Sequence, residues 1–257
     1  MIYNYHTHTA RCRHAFDTDE EYVLRAIEGG IRYMGFSDHA PFLFPGGFES
    51  HYRILMSEIQ DYFNEINRLR EKYKDKIDIK IGFELEYDPD YFEDMLNTAR
   101  ELGAEYLILG QHYLGGELPS GVPSRRATKN PDDIIEYTNN ILAAIKSGVF
   151  TYVAHPDIIN FVGDDEIYRE QMLKICRASK EYDVPLEINF LGIREKRNYP
   201  CDKFFAIAGE VGAPITFGFD AHEKESAYDS ESLKVAIEMV KRHSLNYIGM
   251  PRLRSIY

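Results

Sequence analysis

Short apolar runs alternate with helical stretches along this chain, and the apolar runs keep ending in His, Asp or Glu. Residues 1–5 read as a short strand running into His6-Thr7-His8, with His14 a few residues on. Thr18-Asp19-Glu20-Glu21 is a capping box that opens a helix reaching Gly29-Gly30. Residues 31–36 form a second strand ending at Ser37-Asp38-His39, and residues 40–51 read as a loop rich in Pro, Gly and Phe. Leu55, Ile59, Tyr62, Phe63, Ile66, Leu69 and Tyr73 recur every three or four residues, which predicts an amphipathic helix packed on a sheet.

The same alternation continues. Strands are expected at 77–83, 106–109, 152–154, 185–188 and 214–219, with a short one at 246–250. Those that carry ionisable or amide ends stop at Glu84-Leu85-Glu86, Gly110-Gln111-His112, His155-Pro156-Asp157, Asn189 and Asp220-Ala221-His222. Helices are expected at 90–102, 131–146, 165–182, 201–211 and 230–242, and loops at 113–130 and 190–199. About seven β-then-α units without a composition break favour a parallel sheet. At 257 residues the expectation is one domain, 1–257, an α/β fold closed as a (β/α) barrel in preference to an open doubly wound sheet. Such barrels carry their sites at the C-terminal ends of the strands, where the ionisable residues fall.

Composition narrows the function. No run approaches the roughly 20 apolar residues needed to span a bilayer, and no basic-then-apolar leader opens the chain, so no membrane partner is expected. Cys12, Cys176 and Cys201 are too few and too scattered for a disulfide framework, which makes a reducing cytoplasm the simplest home. A net charge of −12 argues against nucleic-acid binding, which needs a basic face. A small anionic substrate remains compatible, because bound cations reverse the local field.

The strand ends and the segments just beyond them offer His6, His8, His14, His39, Glu84, His112, His155, Asp220 and His222, which include seven of the nine histidines. Imidazole and carboxylate without thiolate suit Zn, Fe or Mn. Nine such groups are too many for one ion, so two or three divalent ions are expected, with one carboxylate bridging.

In their order and spacing these residues resemble the polymerase-and-histidinol-phosphatase (PHP) superfamily over essentially the whole chain. Gly110-Gln111-His112-Tyr113, Ala154-His155-Pro156-Asp157, Glu187-Ile188-Asn189 and Gly218-Phe219-Asp220-Ala221-His222 resemble its histidinol-phosphatase branch. The resemblance implies a distorted seven-stranded barrel with a trinuclear metal centre. It assigns His6, His8, Glu84 and Asp220 to one ion, Glu84, His112 and His155 to a second, and His14, His39 and His222 to the third. The implied activity is hydrolysis of a phosphomonoester, L-histidinol phosphate in histidine biosynthesis, by water activated between the ions. His6, His8, Glu84, Asp220 and His222 are the catalytic candidates.

A cationic side chain should hold the remaining phosphate charge. Arg194, in the run Asn189 to Arg194, matches a family position for that contact. After His155-Pro156-Asp157 the branch usually shows another Arg, whereas this chain has Ile159-Asn160-Phe161. Arg125, Arg126 or Arg197 could substitute. The departure leaves open another small phosphate ester, or phosphotyrosine. Glu187, in an apolar strand, is read as a partner of the substrate's ammonium or of a Lys or Arg. Glu86 is expected behind the ligands or in solvent, Cys12 inert, and His51 and His243 structural. The aromatic residues of 42–52 either cover the substrate or pack. A metal-dependent amide hydrolase would need a bridging Lys where Glu84 stands, and a non-catalytic metal-binding protein needs no phosphate anchor. Oligomeric state is not legible.

Overall fold

The computed structural model describes residues 1–118 and 121–257, so Pro119 and Ser120 of the expected 113–130 loop lie outside the described residues. Eight strands form one sheet in sequence order: β1 (Tyr3–Asn4), β2 (Tyr33–Phe36), β3 (Asp78–Leu85), β4 (Tyr106–Leu109), β5 (Phe150–Val153), β6 (Leu186–Asn189), β7 (Pro214–Gly218) and β8 (Asn246–Tyr247). Every neighbouring pair is parallel. β4 to β7 are buried at every residue, because helices cover one face and the curled interior covers the other.

The sheet curls until its ends meet. Just beyond β1, Thr7 bridges in parallel to Ala221, just beyond β7. The His8 amide donates to the Ala221 carbonyl at 3.0 Å, and the Ala221 amide to the His6 carbonyl at 3.2 Å. At the opposite end β8 lies against β7, and the Tyr3 hydroxyl bonds Thr216 Oγ1 at 3.0 Å and the Tyr247 hydroxyl at 3.2 Å. The ring is therefore closed by backbone pairing at the C-terminal ends of the strands and by side chains below. Its lower interior is filled by Tyr3, Tyr5, Tyr106, Ile108, Tyr152 and Ala154.

The larger core lies between the sheet and the helices. Helix α1 (Asp19–Glu28) begins at the expected Thr18–Glu21 capping box. Helix α2 (Ile59–Tyr73) buries Tyr62, Ile66, Leu69 and Tyr73, the stripe read from the sequence. Helices α3 (Phe92–Leu102), α4 (Pro131–Ser147) and α5 (Asp165–Tyr182) follow β3, β4 and β5, with α4 capped by Asn130 and α5 by Asp164. The expected loop at 190–199 instead holds a short helix, α6 (Phe190–Glu195), capped by the Asn189 side chain, which accepts from the Gly192 amide. Six residues are too few to show a helical period. Helices α7 (Asp202–Val211) and α8 (Ser230–Arg242) complete the outer layer. Among the described residues no helix is long and apolar enough to cross a membrane.

Each of the two long loops contains a small antiparallel hairpin, Leu43–Phe44 with Phe48–Glu49 and Tyr113–Leu114 with Val122–Pro123. They are joined by an ion pair between Arg53 and Glu117, both side chains only 2% exposed. Arg53 Nη1 also donates to the Ala40 carbonyl at 2.8 Å. Removing one member of such a pair strands a charge away from water. Glu117→Gln should therefore lower the unfolding free energy by about 3–5 kcal/mol, read from the shift in denaturant midpoint. Arg53→Met combined with Glu117→Leu should recover most of that loss. A single-variant effect below about 1 kcal/mol, the range of exposed pairs, would contradict a sealed bridge.

Candidate metal centre

The strand ends converge above the tyrosine layer, on a cavity of about 510 Å³ lined by His8, His14, His39, Glu84, His112, His155, Asp220 and His222. His6 lies fully buried against its floor. Four atoms face one another: Glu84 Oε2 is 3.6 Å from His6 Nε2 and 3.5 Å from His8 Nε2. Asp220 Oδ1 is 3.5 Å and 3.3 Å from the same nitrogens. All four are buried without a hydrogen-bond partner. Donors about 2.1 Å from a tetrahedral cation stand about 3.4 Å apart, so these separations suit a divalent ion.

Glu84 turns its second oxygen the other way. Oε1 lies 2.9 Å from His155 Nε2 and 3.5 Å from His112 Nε2. One carboxylate thus faces two clusters of imidazoles, the geometry of a bridging ligand. Donor atoms of His14, His39 and His222 gather within 4.8 Å of one another as a third cluster. All nine residues expected at the centre are brought together. The clusters overlap more than the expected partition, since His39 Nδ1 also lies 3.3 Å from Glu84 Oε2, and His155 groups with His6 and Asp220.

Behind these atoms a second layer of acceptors fixes the rings. His6 Nδ1 meets Glu187 Oε1 at 2.8 Å, His8 Nδ1 meets Asp38 Oδ1 at 3.3 Å, and His112 Nδ1 meets Glu86 Oε1 at 3.0 Å. The His14 and His222 Nδ1 atoms meet the Cys12 and Asp220 carbonyls at 2.8 Å and 3.2 Å. When each Nδ1 donates, each Nε2 is left as a lone-pair donor towards the cavity. Asn189 Nδ2 donates to Asp220 Oδ2 at 3.0 Å and leaves Oδ1 free. Two of the residues sit in the left-handed backbone region, His155 at φ 30° and Asp220 at φ 47°, so the surrounding structure holds them there against a steric cost.

The electrostatics divide the rings: His14, His39 and His222 are shifted down, whereas His6, His8 and His112 are shifted up. Burial pushes His14 down to about 4, aided by the charges of His222 and His8. Burial also holds His39 and His222 below the ordinary imidazole value. Neutral rings are the form a metal needs. Burial works against a charged His6, yet Asp220, Glu187 and Glu84 outweigh it and raise the ring to about 10. A pit that draws a proton this strongly is short of positive charge.

Two of the sequence candidates stand away from the cavity wall. Glu187 is not among the residues that line the cavity, and among the described residues no Lys or Arg pairs with it. It is fully buried and accepts from His6 Nδ1, the His155 amide and Asn189 Nδ2. Arg194 does not line the cavity. Its guanidinium holds the carbonyls of Phe219 at 2.9 Å and Asp220 at 3.0 Å and pairs with Asp229 at 3.3 Å, so it braces the end of β7 from behind. Arg197 does line the cavity, as do Arg13 and Arg125. Asp38 was missed. Asp38 stands in the Ser37-Asp38-His39 strand end, which was the available signal. Of the 42–52 aromatics, Phe42 and Phe44 pack in the core, whereas Tyr52 lies edge-on to His39 with ring centroids 4.8 Å apart. His51, read as structural, borders the cavity, while His243 pairs with Asp202 at 2.6 Å. Cys12 lies beside His8 and His222, and burial pushes its thiol up.

Glu86 accepts from the His112 amide at 2.9 Å and ring at 3.0 Å, and from the Tyr52 hydroxyl at 3.2 Å. Removing it frees the His112 ring to turn. Glu86→Ala should weaken zinc binding by about 10- to 100-fold in a chelator-competition titration while circular dichroism is unchanged. Equal affinity would mean that His112 needs no orienting partner.

Comparison with known proteins gives a consistent picture. The family described as "PHP domain" matches residues 4–190. The chain is 30% identical over 230 residues to a histidinol-phosphatase of Lactococcus lactis, covering 85% of this chain and 83% of the relative. It is 25% identical over 235 residues to a "Probable histidinol-phosphatase" of Deinococcus radiodurans, covering 85% of each. The crystal structure of histidinol phosphate phosphatase from Lactococcus lactis, complexed with zinc, L-histidinol and phosphate, superimposes with a TM-score of 0.74 at 23% identity. That superposition covers 99% of this chain and 97% of the other, and it shows a shared fold.

Proposed function

This chain belongs to the PHP domain family, and we propose that, working as one domain, it is a metal-dependent phosphomonoesterase that hydrolyses L-histidinol phosphate to L-histidinol and phosphate. The observation that carries the reading is the set of buried, unpartnered donor atoms of His6, His8, Glu84 and Asp220 at the spacing of a metal cage. His6, His8, Glu84 and Asp220 would hold one ion, Glu84 with His112 and His155 a second, and His14, His39 and His222 a third. Zinc, iron and manganese all suit this donor set. Bound divalent ions supply Lewis acidity, which neutralises phosphate charge and makes water a nucleophile at neutral pH.

The protein's own contribution is to hold that arrangement rigid. Glu84 fixes the separation of two positions through its two oxygens. Glu187, Asp38 and Glu86 keep the tautomers of His6, His8 and His112. Arg194 and Asn189 set Asp220 at the turn after β7. Tyr52 and Tyr199 wall the cavity and limit water around the ester. Water would give up one proton and add to phosphorus, the phosphorus–oxygen ester bond would break, and the departing alkoxide would take up one proton in exchange, leaving histidinol and hydrogen phosphate.

Another small phosphate ester is the second reading, favoured by Asn160. Its side chain is turned to the Arg125 carbonyl, at 3.3 Å, instead of supplying a cation. Phosphate release from histidinol phosphate, compared with a panel of monoesters, separates the two readings.

Elemental analysis of the purified protein beside that assay should find two or three equivalents of transition metal and phosphate release that stops on chelation. His8→Ala should lose both metal and turnover, to background, while the fold persists by circular dichroism. Normal turnover in that variant would sink the assignment of the centre.

A further inference from the structure

Three arginines face the cavity: Arg13, Arg125 and Arg197. Two are already committed within the protein. Arg13 gives Nη2 to Glu58 at 2.6 Å and Nη1 to the Arg53 carbonyl at 2.9 Å. Arg197 gives Nε to Glu195 at 2.7 Å and Nη1 to the Tyr199 hydroxyl at 2.7 Å. Among the described residues the Arg125 guanidinium has no hydrogen-bond or ion-pair partner. It is the one cation of the three whose charge is not balanced by a neighbouring carboxylate.

Its backbone, by contrast, is held on both sides. The Ser124 amide donates to the His112 carbonyl at 2.7 Å, which ties the segment to a residue of the centre. The Asn160 amide donates to the Ser124 carbonyl at 3.0 Å, and Asn160 Nδ2 to the Arg125 carbonyl at 3.3 Å. The Thr128 amide returns a bond to the Asn160 carbonyl at 3.0 Å, and Thr128 pairs in parallel with Phe161. A free guanidinium on a fixed backbone, exposed and lining a pit whose donors suit cations, is suited to an anion that such cations would share. The electrostatic reach of Arg125 extends to the Tyr113 hydroxyl, on the hairpin that follows His112.

We infer that Arg125 receives the phosphate group of the substrate, and that Asn160 serves to position it. The inference rests on the phosphomonoesterase reading. A phosphate dianion offers the guanidinium fork two oxygens, whereas the histidinol moiety carries no anion.

The test uses the metal-loaded full-length protein. Inorganic phosphate is titrated calorimetrically, and histidinol phosphate hydrolysis is followed in parallel, for the wild type, Arg125→Ala, Arg125→Lys and Arg126→Ala. Arg125→Ala should weaken phosphate binding and raise KM by roughly 10- to 100-fold, with kcat changed less. Arg125→Lys should restore part of the loss, because it keeps the charge and loses the fork. Arg126→Ala, a neighbouring exposed cation outside the cavity lining, should match the wild type. Wild-type phosphate affinity and KM in Arg125→Ala would overturn the inference. Phosphate binding without hydrolysis of any ester by the wild type would overturn the hydrolase reading, and the calorimetric comparison would still decide the role of Arg125.

Discussion

The Glu84 carboxylate, sealed at the end of β3 with imidazoles facing both of its oxygens, is the interaction on which the rest of the site depends. A carboxylate removed from water is costly unless it is paired. Five carboxylates (Asp38, Glu84, Glu86, Glu187 and Asp220) are buried around one pit, and among the described residues no Lys or Arg bonds any of them. Protons, on the imidazoles or on the carboxyls themselves, or bound cations must balance them. The fold makes room for this charge by omitting side chains. A Cβ on Gly110 would sit 2.0 Å from Glu84 Oε1, and one on Gly218 would sit 1.7 Å from Glu187 Oε1. Both glycines are therefore required by the carboxylate across the neighbouring strand.

Ring closure and the proposed metal centre share the same segments. Among the described residues, the segments of β1 and β7 pair backbone to backbone where Thr7 meets Ala221, between the His6–His8 pair and the Asp220–His222 pair. Below that point hydroxyl bonds among Tyr3, Thr216 and Tyr247 take over. A cation held by His6, His8 and Asp220 would clamp two segments more than 200 residues apart in the chain, so part of its binding free energy becomes stability of the closed ring. The interior has two tiers as a result: aromatic rings that pack, and above them imidazoles and carboxylates whose charge is balanced by protons or by bound cations.

Much of this arrangement was legible in the chain. The βα alternation, the stripe on α2, the capping box of α1 and the nine strand-end residues all report periodicities or spacings that a local window contains. Contacts between distant segments were not legible. Glu187 looked like a carboxylate in need of a cation, because nothing local reveals that His6, 181 positions away, would donate to it. Arg194 lay at the expected distance from Asn189, but α6 turns its guanidinium behind β7, and a six-residue helix leaves no pattern from which to read that direction. Tyr52 and Arg53 are adjacent and similar in bulk, yet one walls the cavity and the other is buried against Glu117, a division set by a hairpin more than 60 residues on.

The arginines show how a chain of net charge −12 can receive a dianion without a basic surface. What matters is which positive charges remain uncompensated near the pit. Arg53 is neutralised by Glu117, Arg194 is spent on two backbone carbonyls and Asp229, and Arg13 and Arg197 each lean on a glutamate. Every one of these cations shapes the site, and none is free to follow a ligand. Neutralising most of the arginines also keeps the empty cavity from repelling incoming divalent ions, which a ring of bare guanidinium groups would do. Loading metal and gripping phosphate thus place opposite demands on the cavity wall. Arg125, the one lining arginine left uncommitted among the described residues, its segment held by backbone bonds to His112 beyond β4 and to Asn160 beyond β5, would meet both.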